Sequence, residues 1–422
     1  MPQGELASVR RHALDVFLAG IAAVQGARCV SDYLDCHPGK QDVIVVAIGK
    51  AASAMVTGAL QVLNTRLRRG LLVTKPGHIE PQLLCDRRIT CLTAGHPLPN
   101  ADSLAAGDAL LGFIKTTPAD AELLFLISGG ASSLVEVLPE NITLADLQRV
   151  NSWLLGSGLD IHACNHIRSR LSQIKGGRLL HALHGRAASV LMISDVAGDD
   201  PAVIGSGLLS SKTTDRTIDT DIPDWLARLV SLAAPMRGGQ AIPAGNVDHH
   251  IIARLNDALL AAAAHGRALG YAVTLMDERI AEDAAQTGRE LAAHLQAAPP
   301  GLIIWGGECT VRLPAHPGNG GRNQQLALAA ACTLQQHAGL VMLAGATDGS
   351  DGPTSAAGAR VDAATVDRGT RSGLDAEACL LHADAGTFLA ASGDLITTGP
   401  TGTNVTDMLI GIKTEQAGTM RV

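Results

Sequence analysis

The chain has 422 residues and carries 33 Lys and Arg against 40 Asp and Glu, a formal net charge of −7. Hydrophobic residues make up 46%, which excludes global disorder, and the length exceeds what one hydrophobic core usually serves, so two domains are expected. An acidic balance without a basic run, together with only 2% aromatic residues, argues against nucleic acid or an anionic membrane as main partner.

In chain order, the first element is an amphipathic helix with Leu6, Val9, Ala13, Val16, Phe17 and Ile21 on one face. It lacks the apolar core of an export signal, and no charge-free apolar run reaches the length of a membrane span. A cytoplasmic location is therefore expected, with the eight cysteines reduced; none forms a CxxC pair. Short β-branched runs predict strands at 43–48, 71–74, 89–93, 123–127, 190–193, 273–276, 302–305, 340–344 and 408–412. Helical stretches lie between them at 53–63, 101–114, 144–155, 254–269 and 283–295. Several strands are apolar on both faces, which specifies parallel strands covered by helices and an α/β fold. The segment 213–250 combines charges with Pro235, Gly238, Gly239 and Pro243, and marks a boundary. The expected division is a larger Rossmann-like domain over 1–240 and a smaller α/β domain over 241–422, with a cleft between them.

The turns at the strand ends carry the chemistry. Gly49-Lys50 comes after the first strand, Gly95-His96-Pro97 after the third, and Ser128-Gly129-Gly130-Ala131-Ser132 after the fourth. Further along come Asp195 to Asp200, Gly306-Gly307-Glu308, Gly320-Gly321-Arg322-Asn323, the run Thr347 to Thr354, and Thr398 to Asn404. Small residues let backbone N–H groups approach an anion, and helix N-termini add their positive ends. Isolated cations (Lys50, Arg322) and carboxylates (Asp195, Asp199, Glu308, Asp348, Asp351) suit phosphoryl transfer, which is mostly positioning and charge neutralisation. Asp195 and Asp199, four apart in one turn, suit Mg²⁺, and Asp351 is a third candidate ligand. Ser128, Ser132 and Ser133, beside the Gly129 and Gly130 amides, are candidates for a substrate carboxylate. Each also has an ordinary structural alternative: Asx-turns for Asp348 and Asp351, helix caps for the serines and Asp195, an ion pair for Arg322. There is no GxxxxGK[ST], no GxGxxG, no GxSxG and no HExxH, so a P-loop kinase is excluded and a nicotinamide enzyme is weakened.

The strings IGKAA at 48–52, GHPLP at 95–99, LISGGASSL at 126–134 and NHIRSRLSQIKGG at 165–177 resemble the glycerate 2-kinase family. In the second half GGECTV at 306–311, GGRNQQLALA at 320–329, TDGSDGPTSAAGA at 347–359 and TGPTGTNVTD at 398–407 resemble its MOFRL domain. The resemblance spans nearly the whole chain. It implies transfer of a phosphoryl group from ATP to the 2-hydroxyl of D-glycerate with a divalent metal, Lys50 and Arg322 acting at the transfer site. Gly49, Ser128, Gly129, Gly130, Ser132, Gly307, Glu308, Asn323, Thr354 and Asn404 are the candidate substrate- and nucleotide-binding residues; Asp195, Asp199 and Asp351 are the candidate metal ligands. Bacterial members are often labelled hydroxypyruvate reductase, which makes an NAD(P)H-dependent reductase the alternative. Two positions depart from the family pattern: Gln325 where Glu is usual, and Gly207-Leu208-Leu209 where Gly-Pro-Thr is usual. The expected partners are glycerate and ATP, with no nucleic acid or membrane; a homodimer stays open.

Overall fold

The computed structural model describes residues 3–39, 41–118, 120–157, 159, 161–210, 222–233 and 246–419. Two compact units emerge, drawn differently from a cut near residue 240. One runs over 26–254 with 402–404; the other gathers 1–25, 255–401 and 405–422. The chain thus returns to the first unit for three residues near its end. Much of the segment expected as a boundary, 213–221 and 234–245, lies outside the described residues.

The first unit is built on six parallel strands: β1 (Val43–Ile48), β2 (Leu67–Thr74), β3 (Ile89–Thr93), β4 (Glu122–Ser128), β5 (Ala188–Ile193) and β6 (Val247–Ala253). Their spatial order is β3-β2-β1-β4-β5-β6, that of a Rossmann sheet. Every residue of β1 is buried, which is why its sequence, VIVVAI, shows no alternation. Helices such as Ala52–Leu63 and Ala101–Lys115 link successive strands. A separate small core joins the helices Leu144–Gly156, Ile161–Arg170 and Asp224–Leu232 around Val150, Leu154, Ile167, Leu171 and Leu226.

The second unit carries a mixed sheet of β7 (Val273–Leu275), β8 (Gly301–Gly307), β9 (His337–Ala346), β10 (Gly358–Asp362), β11 (Leu395–Ile396) and β12 (Asp407–Thr419). The order is β11-β10-β9-β12-β8-β7, with β12 antiparallel to both neighbours. The N-terminal helix Gln3–Ala23 belongs here, and Val9, Ala13, Val16, Phe17 and Ile21 of its apolar face are buried. Arg10, between Phe17 and Ile21 around the helix on the same face, anchors it further by binding Asp362, Asp394 (2.7 Å) and the carbonyl of Arg360 (3.0 Å).

The two departures from the family pattern fit their surroundings. Leu208 and Leu209 are buried in the core of the parallel-sheet unit. The Gln325 amide donates to the Leu380 carbonyl at 2.8 Å, a bond that a carboxylate has no proton to make.

Candidate active site

In a sheet of this order the direction of strand succession reverses between β1 and β4, and ligands bind outside the carboxyl ends of the strands at that point. The turns that leave β1 and β4 are the Gly49-Lys50 and Ser128-Gly129-Gly130 turns, and backbone bonds lock them together. Lys50 N–H donates to the Gly129 carbonyl at 2.9 Å, and Ala51 N–H to the Ser128 hydroxyl at 3.0 Å. Gly49 has φ +135°, and a Cβ there would lie 2.1 Å from Ser128 Oγ, so no other residue permits the two turns to meet this way. Ser128 is fully buried, so it holds the Lys50 turn in place instead of facing a ligand. Ser133 is likewise turned inward, donating to the Gly130 carbonyl at 3.2 Å. Of the three serines only Ser132 is partly exposed. Lys50 and His96 flank Gly130: the Lys50 Cγ and the His96 ring each lie 3.1 Å from where a Gly130 Cβ would stand.

A third segment closes on the β4 turn. Asn404 donates from Nδ2 to Asp195 Oδ2 at 3.0 Å, directly over Gly129, whose Cβ would sit 1.8 Å from that carboxylate oxygen. Lys50, Gly129, Asp195 and Asn404, drawn from four separate stretches of sequence, are therefore assembled on one sheet end. Asp199, next on the same turn as Asp195, has φ +52° and keeps Oδ1 buried without a hydrogen-bond donor. Its Oδ2 is 3.9 Å from Arg254.

The second unit has its own cluster, centred on Arg322 at the start of the helix Arg322–Leu334. Asp407 takes Nε at 2.5 Å and Nη2 at 3.0 Å, and Glu308 takes Nη1 at 2.9 Å. Burial alone would lower the Arg322 pKa, but Asp407 and then Glu308 and Asp351 outweigh it and hold the guanidinium firmly protonated. Asp407, which sequence reasoning left out, is 3% exposed; it closes the string TGPTGTNVTD, the one signal that pointed to it. His96 was named only as part of its turn.

Asp351, expected as a metal ligand, instead caps that helix. Its two oxygens accept from the N–H groups of Asn323 (3.1 Å) and Gln324 (2.8 Å), two of the donors a helix start leaves unpaired. Burial, with the Asp407 charge, pushes the Asp351 carboxyl up to about 6. Asn323 turns its side chain onto Asp351 at 3.3 Å, and the Thr354 hydroxyl donates to the Asp351 carbonyl at 2.8 Å. Both are thus committed to the loop. Gly307 admits the Ile280 backbone, whose carbonyl would be 2.1 Å from a Cβ. Among the described residues no group of three or more His, Cys, Asp and Glu is arranged to hold a metal ion.

A parallel sheet in Rossmann order, with the lysine turn at its switch point and the acidic turn of the neighbouring β5 beside it, defines a Rossmann-like α/β protein. Comparison with known proteins makes the class specific. Residues 12–228 match the model described as a domain of unknown function, DUF4147, and residues 301–407 match the MOFRL family. The chain is 32% identical to a D-glycerate 2-kinase of Thermotoga maritima over 96% of this chain and 98% of that one. The crystal structure of a Thermotoga maritima glycerate kinase superimposes with a TM-score of 0.80, covering 96% of this chain and all of that one. A protein of Agrobacterium vitis named putative hydroxypyruvate reductase is 36% identical over 86% of this chain and 97% of its own. The chain belongs to this DUF4147–MOFRL family of glycerate kinases.

Proposed function

We propose that the protein transfers the γ-phosphoryl group of ATP to the 2-hydroxyl of D-glycerate, giving 2-phosphoglycerate and ADP, with Mg²⁺ as the metal. The observation that carries the reading is the locked pair of turns at the β1/β4 switch point. It sets the Lys50 side chain, through its Cγ, against the Gly130 turn, and the Asp195–Asn404 pair against Gly129. Glycerate kinase relatives over nearly the full length supply the substrate and the phosphate donor.

Phosphoryl transfer needs negative charge neutralised and reactants aligned, with little covalent work by the protein. Lys50 supplies a point charge to the moving phosphoryl group, and the family resemblance assigns a catalytic part to Arg322 as well, whose planar guanidinium is held by Asp407 and Glu308. Asp195 and Asp199 would hold the metal. The buried Oδ1 of Asp199, without any donor, is an oxygen that a hard cation satisfies, and Mg²⁺ typically uses only one or two carboxylates besides water and phosphate. When bound, the metal shields phosphate charge from the attacking hydroxyl. Asn404 fixes the Asp195 carboxylate for that task.

The reductase reading has only the name of some relatives in its favour. Its phosphate-binding fingerprint belongs in the first βα turn, where this chain has a single glycine, and that glycine is committed to Ser128. The test runs ADP release with ATP, Mg²⁺ and D-glycerate beside NADH oxidation with hydroxypyruvate, and identifies the product by NMR. ADP and 2-phosphoglycerate are expected. NADH oxidation without ADP release would reverse the assignment, and 3-phosphoglycerate would correct the position.

A further inference from the structure

Among the described residues a second cation, linked to the glycine turn of β4, has no acidic partner. Arg168 lies on the helix Ile161–Arg170 of the small helical core and is partly buried. Its Nε donates to Asn151 Oδ1 at 3.2 Å and its Nη1 to Asn165 Oδ1 at 3.3 Å. Among the described residues it has no carboxylate within ion-pair distance and nothing bonded to Nη2. A buried guanidinium with only neutral acceptors is unfavourable, since removal of charge from water is normally compensated by an opposite charge. Burial accordingly presses its pKa below the ordinary value.

The acceptors lead to the site already described. Asn165 Oδ1 also accepts from the Ser206 hydroxyl at 3.0 Å, and Ser206 Oγ meets Ser132 Oγ at 2.7 Å. The Asn165 amide nitrogen donates to the Val203 carbonyl at 3.2 Å, which fixes the oxygen toward Arg168 and Ser206. Ser206 adopts φ +58°, a conformation unfavourable for serine, and its hydroxyl thereby enters this chain of bonds. A continuous polar line thus runs from the guanidinium to Ser132 in the Ser128-Gly129-Gly130 turn.

The neighbouring cations are occupied. Lys175 is paired with Glu136 at 2.5 Å, both buried, and Arg178 is taken up by the carbonyls of Ser169, Ser172 and Lys175. A single guanidinium matches one negative charge. A triphosphate carries several, whereas a carboxylate carries one and fits the planar fork.

We infer that Arg168, with the Ser132 hydroxyl and the Asn165–Ser206 pair behind it, binds the carboxylate of the acceptor substrate and selects a hydroxy acid over a neutral polyol. This rests on the glycerate kinase reading and extends it to the residues that recognise glycerate.

The experiment measures KM for D-glycerate and for ATP in the wild type, Arg168→Gln and Ser132→Ala, with glycerol as an acceptor that lacks the carboxylate. A charged hydrogen-bond partner typically contributes enough for a roughly 10- to 100-fold effect. Arg168→Gln is expected to raise KM for D-glycerate by about that factor, leave KM for ATP within about twofold, and erase most of the preference for D-glycerate over glycerol. Arg168→Lys is expected to recover part of the loss. Ser132→Ala, which leaves both Arg168 bonds in place, is expected to raise KM for D-glycerate about fivefold. An Arg168 that only braced two helices would lower thermal stability and leave the D-glycerate to glycerol ratio unchanged, and that result overturns the inference. Should Arg168→Gln fail to fold, an unchanged KM in Ser132→Ala overturns it equally. A wild type that releases no ADP with D-glycerate would instead overturn the underlying reading of the activity.

Discussion

Asn404 reaches back 209 residues to donate a hydrogen bond to Asp195, and the bond lies across Gly129 with no room for a side chain beneath it. That contact explains why residues 402–404 belong with the parallel-sheet unit when the residues on either side do not. It also gives the glycine of the β4 turn a specific duty. Gly129→Ala puts a methyl group where Asp195 Oδ2 and Asn404 Nδ2 now sit, so the pair must separate. Turnover should fall at least about 100-fold, with a higher Mg²⁺ requirement, because the carboxylate loses its set position. Initial rates across a Mg²⁺ series check this; unchanged Mg²⁺ dependence would detach the pair from the metal.

Lys50→Ala should lower kcat by about 10²- to 10³-fold, the usual value of a cation placed on developing negative charge. Stability should change far less than kcat, because backbone bonds of Lys50 and Ala51 fix the turn. Steady-state kinetics beside a thermal melt separate the two effects. A mutant with near-normal kcat would remove Lys50 from the reaction.

The Asp351 carboxyl titrates near 6 in the folded protein against an ordinary value of 3.8. A raised folded-state value means that the native state holds this proton more tightly than the unfolded chain. Its contribution to stability is complete below about pH 4 and disappears as pH rises through about 6, with a slope of at most about 1.4 kcal/mol per pH unit. Asp351→Asn removes the titration while keeping one acceptor for the helix start. Urea unfolding at about pH 4.5, 6 and 7.5 should therefore show the wild type losing ground to Asp351→Asn across that window. Parallel curves would mean that Asp351 stays ionised.

Much of the fold was legible because parallel strands buried on both faces leave uninterrupted apolar runs; β1 and β3 fall on 43–48 and 89–93 as the sequence predicts. β6 escaped notice. It is the edge strand beside β5, carries Asp248, His249 and His250, and is mostly half-buried, so its composition is that of a polar segment. β11 is a two-residue edge strand, and β10, GARVD, buries only Ala359 and Val361 as apolar side chains, too few for a periodic signal. The turns were legible as a set, since glycines and polar residues recur after the strands. Their division of labour was not. Ser128, Asn323 and Asp351 turn inward to satisfy backbone donors and neighbouring side chains, a use of polar side chains that leaves the same sequence signature as ligand binding. Asp407 shows the converse. It looks like an ordinary strand-initial residue and is the principal partner of Arg322.

That partnership changes what substitution of Arg322 should do. A residue free to grip phosphate could be replaced with little effect on folding, but Arg322 also neutralises Asp407, which is 3% exposed. Arg322→Ala strands a buried carboxylate, which typically costs on the order of 3 kcal/mol, so the melting temperature should fall by several degrees. Arg322→Lys keeps a positive charge near Asp407 and should fold with a smaller loss. It cannot, however, reach Asp407 through two nitrogens and Glu308 through a third, as the guanidinium does. Turnover should therefore be severely impaired in both variants, with Ala no more than about tenfold worse than Lys if planar geometry outweighs charge. The double variant Arg322→Ala/Asp407→Asn, lacking the stranded charge, should regain most of the stability and none of the activity. Recovery of activity with stability would show that Arg322 serves the fold alone.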